Sequence, residues 1–242
     1  MDYKGKVISK VMLTSNVFQL TIKVNGKIDY KIGQFVNLYC PNKILPRPIS
    51  IAGGDGEYLT FLIKIVGEGT RYLGGLARGD EVKLVGPLGK GFTVEGTGNK
   101  KVAIVGGGIG IAPLLPLTGV KFKEVKYYFG FKEKAYALEN IAKEYPLTVT
   151  LDKDGQNIVD IFAKDLERES FDFVYFCGPQ IMLKKLQNIL LKKGIKGELS
   201  TEAKMACGVG GCLVCTCATV DGYKRVCKDG PVFSVGEVVF DD

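Results

Sequence analysis

Lys101-Val102-Ala103-Ile104-Val105-Gly106-Gly107-Gly108-Ile109-Gly110-Ile111-Ala112-Pro113 holds a continuous apolar run followed at once by glycines and a proline. An unbroken apolar run of this length is what a parallel strand buried on both faces requires. Glycines directly after it let the backbone approach an anionic group closely. A following helix N-terminus would favour the negative charge, and Pro113 suits the first turn of such a helix. Gly107, Gly108 and Gly110 are therefore candidates to face a phosphate.

Downstream, strand patterns at 125–130, 147–151 and 173–177 alternate with helix patterns at 135–143 and 180–193. Alternation of this kind predicts a doubly wound α/β domain over 99–200. A second strand-to-helix turn, Cys177-Gly178-Pro179-Gln180 with Met182, falls at the carboxyl edge of the same predicted sheet. Ligands bind at that edge in such folds, so Cys177, Gly178 and Pro179 join the candidates.

Upstream the pattern changes. Short alternating runs at 7–13, 17–24, 35–39, 58–66 and 81–85 are separated by turn residues, with a helical turn near 70–76. They predict a small antiparallel β-barrel over 1–98, and Gly96-Thr97-Gly98-Asn99 reads as the linker out of it. Two features inside the barrel carry chemistry. Arg47-Pro48-Ile49-Ser50 offers a permanent cation suited to a pyrophosphate and a hydroxyl beside it. Gly67-Glu68-Gly69-Thr70 leads into a helical turn whose backbone amides suit an anion.

The last stretch, 201–242, reads as a separate cysteine- and glycine-rich module. Five of the seven cysteines fall between 207 and 227. The spacing is Cys207-x4-Cys212-x2-Cys215, then Cys227 after eleven residues. C-x4-C-x2-C with a distant fourth Cys is the plant-type 2Fe-2S ligand pattern, and Gly208, Gly210 and Gly211 permit the tight loop it needs. Zinc ribbons prefer two C-x2-C knuckles. Cys227 has no such partner, since Lys224 and Gly230 flank it at that distance. Cys217 reads as a small core residue beside the cluster, and Cys40 and Cys177 as packing thiols.

Composition narrows the chemistry further. The chain has no His, which removes imidazole catalysis and His-ligated zinc. Electron and hydride transfer by cofactors needs none. The net charge of +7 comes from scattered lysines rather than a basic patch, so no nucleic-acid partner is expected. No apolar run reaches a membrane span and no signal-peptide pattern opens the chain, so a cytoplasmic location is expected. In that compartment the cysteines are not expected to form structural disulfides.

The order R-P-x-S, G-x-G-T, G-G-G-I-G-x-A-P, C-G-P-x-x-M and a terminal cysteine loop resembles the ferredoxin reductase-like flavoproteins. It resembles most closely the electron-transfer subunits of NAD-dependent dihydroorotate dehydrogenase. The likeness spans the chain, and Arg225-Val226-Cys227-Lys228-Asp229-Gly230-Pro231-Val232-Phe233 is its most specific part. The resemblance implies an oxidoreductase subunit in which Arg47, Pro48, Ile49, Ser50, Leu62, Ile63, Lys64, Gly69 and Thr70 line FAD. It implies a 2Fe-2S cluster on Cys207, Cys212, Cys215 and Cys227, and NAD at Gly107, Gly108, Gly110, Cys177, Gly178 and Pro179. It further implies a heterotetramer with two FMN-containing catalytic subunits, which oxidise dihydroorotate to orotate for pyrimidine biosynthesis. Electrons would pass from the partner's FMN through the cluster and FAD to NAD+. An alternative is the flavin subunit of an NAD(P)H-ferredoxin reductase or sulfide dehydrogenase. The first cluster ligand there can be Asp, where this chain has Cys207.

Overall fold

The computed structural model describes residues 1–41 and 43–240; the last two residues of the segment 201–242 lie outside it. The N-terminal part contains β1 (Asp2–Met12), β2 (Val17–Val24), β3 (Phe35–Leu38), β4 (Arg47–Gly54), β5 (Tyr58–Lys64), α1 (Glu68–Gly75) and β6 (Glu81–Leu88). The strands close into an antiparallel barrel in the order β1-β2-β5-β4-β3-β6, with β6 returning to β1. Alternation decides which side chains go inside. Phe18, Leu20 and Ile22 of β2 meet Val36, Leu38, Ile51 and Phe61 in a core shielded from water. Full burial of each such side chain contributes roughly 1.5–3 kcal/mol. At Gly5 of β1 a Cβ would stand 2.4 Å from Ile22 Cγ2, so only glycine lets the two strands approach there.

β4 is a strand the sequence patterns do not show. Pro48 sits within it, and β4 is short of the clean alternation that marks β2. Pairing with β3 brings Phe35 opposite Ser50, Asn37 opposite Pro48 and Leu38 opposite Arg47. The Arg47–Ser50 motif is thereby held on a sheet.

The second part contains β7 (Lys101–Gly107), β8 (Glu124–Phe131), α2 (Glu139–Glu144), β9 (Leu147–Leu151), α3 (Ile158–Asp165), β10 (Phe173–Cys177), α4 (Gln180–Lys193) and β11 (Lys196–Ser200). The C-terminal residues add a hairpin of β12 (Thr216–Thr219) and β13 (Gly222–Arg225), then β14 (Val232–Ser234). The main sheet runs β14-β11-β10-β7-β8-β9, with β14 antiparallel to β11 on an otherwise parallel sheet. Apolar layers cover both faces. α4 ends at Gly194, whose φ of +67° lets its N–H reach the carbonyls of Leu190 and Leu191.

Two expectations are corrected. No α-helix opens after the glycine turn; Gly108–Ile111 and Leu115–Gly119 are short 3-10 turns. Pro113 and Pro116 both lack the N–H donors an α-helix would need there. The helix expected over 135–143 begins only at Glu139, because Ala137 adopts a φ of +58° and breaks the right-handed run. No helix among the described residues is long and apolar enough to cross a membrane.

Candidate functional site

β4, β5, the start of α1, the turn after β7 and the carboxyl end of β10 surround a cavity of about 470 Å³. Arg47, Pro48, Ile49, Ser50, Leu62, Ile63, Lys64 and Thr70 line it from the barrel, and Cys177 lines it from the sheet. Arg47 Nη1 donates to the carbonyls of Leu45 and Pro46, at 2.6 and 3.3 Å. No carboxylate among the described residues lies within ion-pair distance of it. A cation held in place by carbonyls and lacking an acidic partner suits an anionic ligand such as a pyrophosphate.

Gly69 and Thr70 serve that arginine differently. A Cβ on Gly69 would lie 2.0 Å from Arg47 Nε, so the guanidinium packs directly on the first turn of α1. The Thr70 hydroxyl accepts the N–H of Val66 at 2.9 Å and of Gly67 at 3.2 Å, and donates to the Gly67 carbonyl. Its bonds hold the turn in shape.

The nucleotide candidates meet at the sheet edge. Gly106 pairs in register with Cys177. A Cβ on Gly107 would sit 2.5 Å from Met182 Sδ, and one on Gly110 would sit 2.7 Å from the Cys177 carbonyl and Gly178 Cα. The two turns thus pack backbone to backbone. Gly108, with φ +56°, has open space where a Cβ would be. Gly107, Gly108, Gly110, Gly178 and Pro179 frame this edge without lining the cavity, whereas Ile109, Ala112 and Pro113 do line it. Burial pushes the Cys177 thiol well above its ordinary range, so it stays neutral.

A third wall escapes sequence reasoning. Ser200, Thr201, Glu202, Ala203 and Met205 cover the cavity from the segment before the cysteine loop, and Phe35 and Pro231 complete it. This is irregular chain without periodicity, so no pattern marks it. Glu202 opens into the cavity; desolvation raises its carboxyl, with Lys64 opposing. A larger open groove of about 750 Å³ runs between 27–30 and 115–120. Among the predicted residues only Leu62 reaches it, and it holds no arginine or thiol.

The cysteines converge in two pairs. Cys207 Sγ accepts the Val209 N–H at 3.4 Å, and that amide leads the influences holding its thiol near about 6, with Cys212 next. Cys215 Sγ accepts the Cys227 N–H at 3.4 Å. Burial, with Cys215 adding to it, pushes the Cys227 thiol up to about 12. Cys212 is exposed and Cys207 half-buried, whereas Cys215 and Cys227 are buried. Among the described residues no three His, Cys, Asp or Glu side chains converge on a single-ion site. Two thiol pairs with inward amides fit a binuclear iron-sulfur cluster, which takes two ligands per iron. Arg225 braces the loop, bonding Asp229 at 3.0 Å and the Gly210 carbonyl at 3.2 Å. Cys217 stands in β12, packed against the core.

A barrel with an arginine-bearing flavin-type cavity, joined to a doubly wound sheet, defines a ferredoxin reductase-like oxidoreductase. Residues 4–92 match the oxidoreductase FAD-binding domain family, and residues 202–239 match the iron-sulfur cluster binding domain of dihydroorotate dehydrogenase B. The chain is 39% identical to the dihydroorotate dehydrogenase B (NAD(+)) electron transfer subunit of Clostridium acetobutylicum, over 98% of this chain and 97% of that one. It is 38% identical to the Clostridium perfringens subunit of the same name, over 99% of each. It belongs to the family of dihydroorotate dehydrogenase B electron transfer subunits. Among solved structures, that of the NADH-dependent reduced ferredoxin-NADP oxidoreductase superposes with a TM-score of 0.87 at 27% identity, covering 98% of this chain and 90% of that one.

Proposed function

We propose that this chain carries electrons between an FMN-containing, dihydroorotate-oxidising partner and NAD+, as a cytoplasmic subunit of a two-plus-two heterotetramer. The observation that carries the reading is a cavity lined by an arginine without an ion pair and walled by the segment 200–205 that leads directly into the cysteine loop. FAD and a 2Fe-2S cluster supply, when bound, the hydride and single-electron exchange that side chains lack.

The protein's own part is binding and positioning. Arg47 neutralises a pyrophosphate, with Gly69 and Thr70 shaping the turn behind it. Pro48, Ile49, Ser50, Leu62, Ile63 and Lys64 wall the flavin. Gly107, Gly108, Gly110, Cys177, Gly178 and Pro179 present the nicotinamide nucleotide, and the segment from Ser200 to Met205 limits water. Cys207, Cys212, Cys215 and Cys227 hold the cluster. We divide the chain into units at 1–98, 99–200 and 201–242, the last of which also lends β14 to the main sheet and 201–205 to the cavity wall. Val209, Leu213 and Val214 are more than half exposed around Cys212, which suits a partner docking over the cluster.

In this reading the base for dihydroorotate oxidation belongs to the partner, and this chain needs no histidine. The purified chain should pass electrons from NADH to an artificial acceptor and leave dihydroorotate untouched. Reconstitution with an FMN-bearing partner should then yield orotate from dihydroorotate and NAD+. Orotate formation by the chain alone would defeat the assignment. A second reading, the flavin subunit of an NAD(P)H-ferredoxin reductase or sulfide dehydrogenase complex, draws on the similarity to the ferredoxin-NADP oxidoreductase. Ferredoxin reduction without any orotate in that reconstitution would select it.

A further inference from the structure

β3 turns Val36 and Leu38 into the barrel core and Phe35 outward, into the core shared with the sheet. Asn37 lies on Phe35's side, only 2% exposed. Its Nδ2 donates to the Cys207 carbonyl at 3.2 Å, across 170 positions of sequence. Its Oδ1 is buried with no partner. A half-satisfied buried amide is expensive. The cysteine loop is shaped around it as well. Gly208 takes a φ of +72°, and a Cβ there would stand 2.3 Å from Asn37 Nδ2. Asn37 also pairs with Pro48 of the flavin strand.

We propose that Asn37 is a positioning residue for the iron-sulfur cluster, tying the Cys207–Gly208 backbone to the barrel so that the Val209 N–H stays aimed at the Cys207 sulfur. The proposal rests on reading Cys207, Cys212, Cys215 and Cys227 as the cluster site. Hydrogen bonds to cluster-bearing sulfurs help set the reduction potential. They favour the reduced form, because it carries one more negative charge. Releasing the tie lets the Val209 amide drift, and the cluster becomes harder to reduce. All four thiols remain, so the cluster itself is retained.

The test is a redox titration of the anaerobically purified, full-length holoprotein, followed by electron paramagnetic resonance. Asn37→Leu keeps the branched shape and removes the donor. It should hold as much iron and acid-labile sulfide as the wild type. The equilibrium for cluster reduction should shift about fivefold toward the oxidised form, the order of one hydrogen bond's net effect. An unmoved potential, or a loss of stability with the potential unmoved, overturns the proposal. Should Asn37→Leu not accumulate as folded protein, Asn37→Ala gives the same readout with less bulk, and the same two results decide. A wild-type protein without iron and sulfide sinks the cluster reading itself, and is told apart because the failure precedes any substitution.

Discussion

Arg47 shows how a single residue turns fold into chemistry. β4 fixes its backbone opposite Leu38, two carbonyls hold its guanidinium, and no carboxylate among the described residues forms an ion pair with it. A charge-assisted bond to phosphate is worth roughly 1.5–3 kcal/mol. Arg47→Ala should therefore weaken FAD binding about tenfold to a hundredfold, measured by flavin fluorescence titration of the apoprotein. Thr70→Ser, which keeps the hydroxyl that accepts the Val66 and Gly67 amides, should bind FAD close to normally. Equal losses in both variants would argue that the arginine acts only through the turn. The arginine and the cysteines were legible in sequence because motif and spacing announce them. Asn37 and Glu202 were not: each is an isolated polar residue whose meaning depends on a partner far along the chain.

Among the elements, β7 and β8 are clasped at their start by Glu169, which follows α3. Its carboxylate meets Lys126 at 2.5 Å and Lys101 at 2.9 Å, with the Glu169 side chain 18% exposed. Burial works against its ionisation, but the two ammonium groups outweigh it and hold the carboxyl below its ordinary range. A depressed folded value means the contribution is complete above the unfolded pKa and disappears as pH falls through the folded one. Glu169→Gln should cost about 1 kcal/mol at pH 7, measured by urea unfolding, and the gap from wild type should close in acid. A gap that persists at low pH would place the effect elsewhere. Sequence located β9, β10 and α4 with their observed ends, since each carries a clear period. It overran α2 and expected a helix after Gly110, because Ala137 and the proline pair act through backbone geometry that apolar periodicity does not register. β14 is three residues long, too short to show a period, and only its pairing with β11 reveals it.

Across the whole molecule, the barrel, the sheet and the segment before the cysteine loop converge on one cavity. Its third wall comes from the segment that leads into the cysteine loop, so the proposed flavin and cluster sites would share a stretch of chain. The order of the motifs along the chain was enough to read this architecture, while the covering wall became visible only when the chain was folded. The most direct test is metal and sulfide analysis of the anaerobically isolated chain, with its visible spectrum. The account requires iron and acid-labile sulfide in equal amounts, two of each per chain, together with flavin absorbance. Colourless protein carrying zinc, or flavoprotein without labile sulfide, would contradict it.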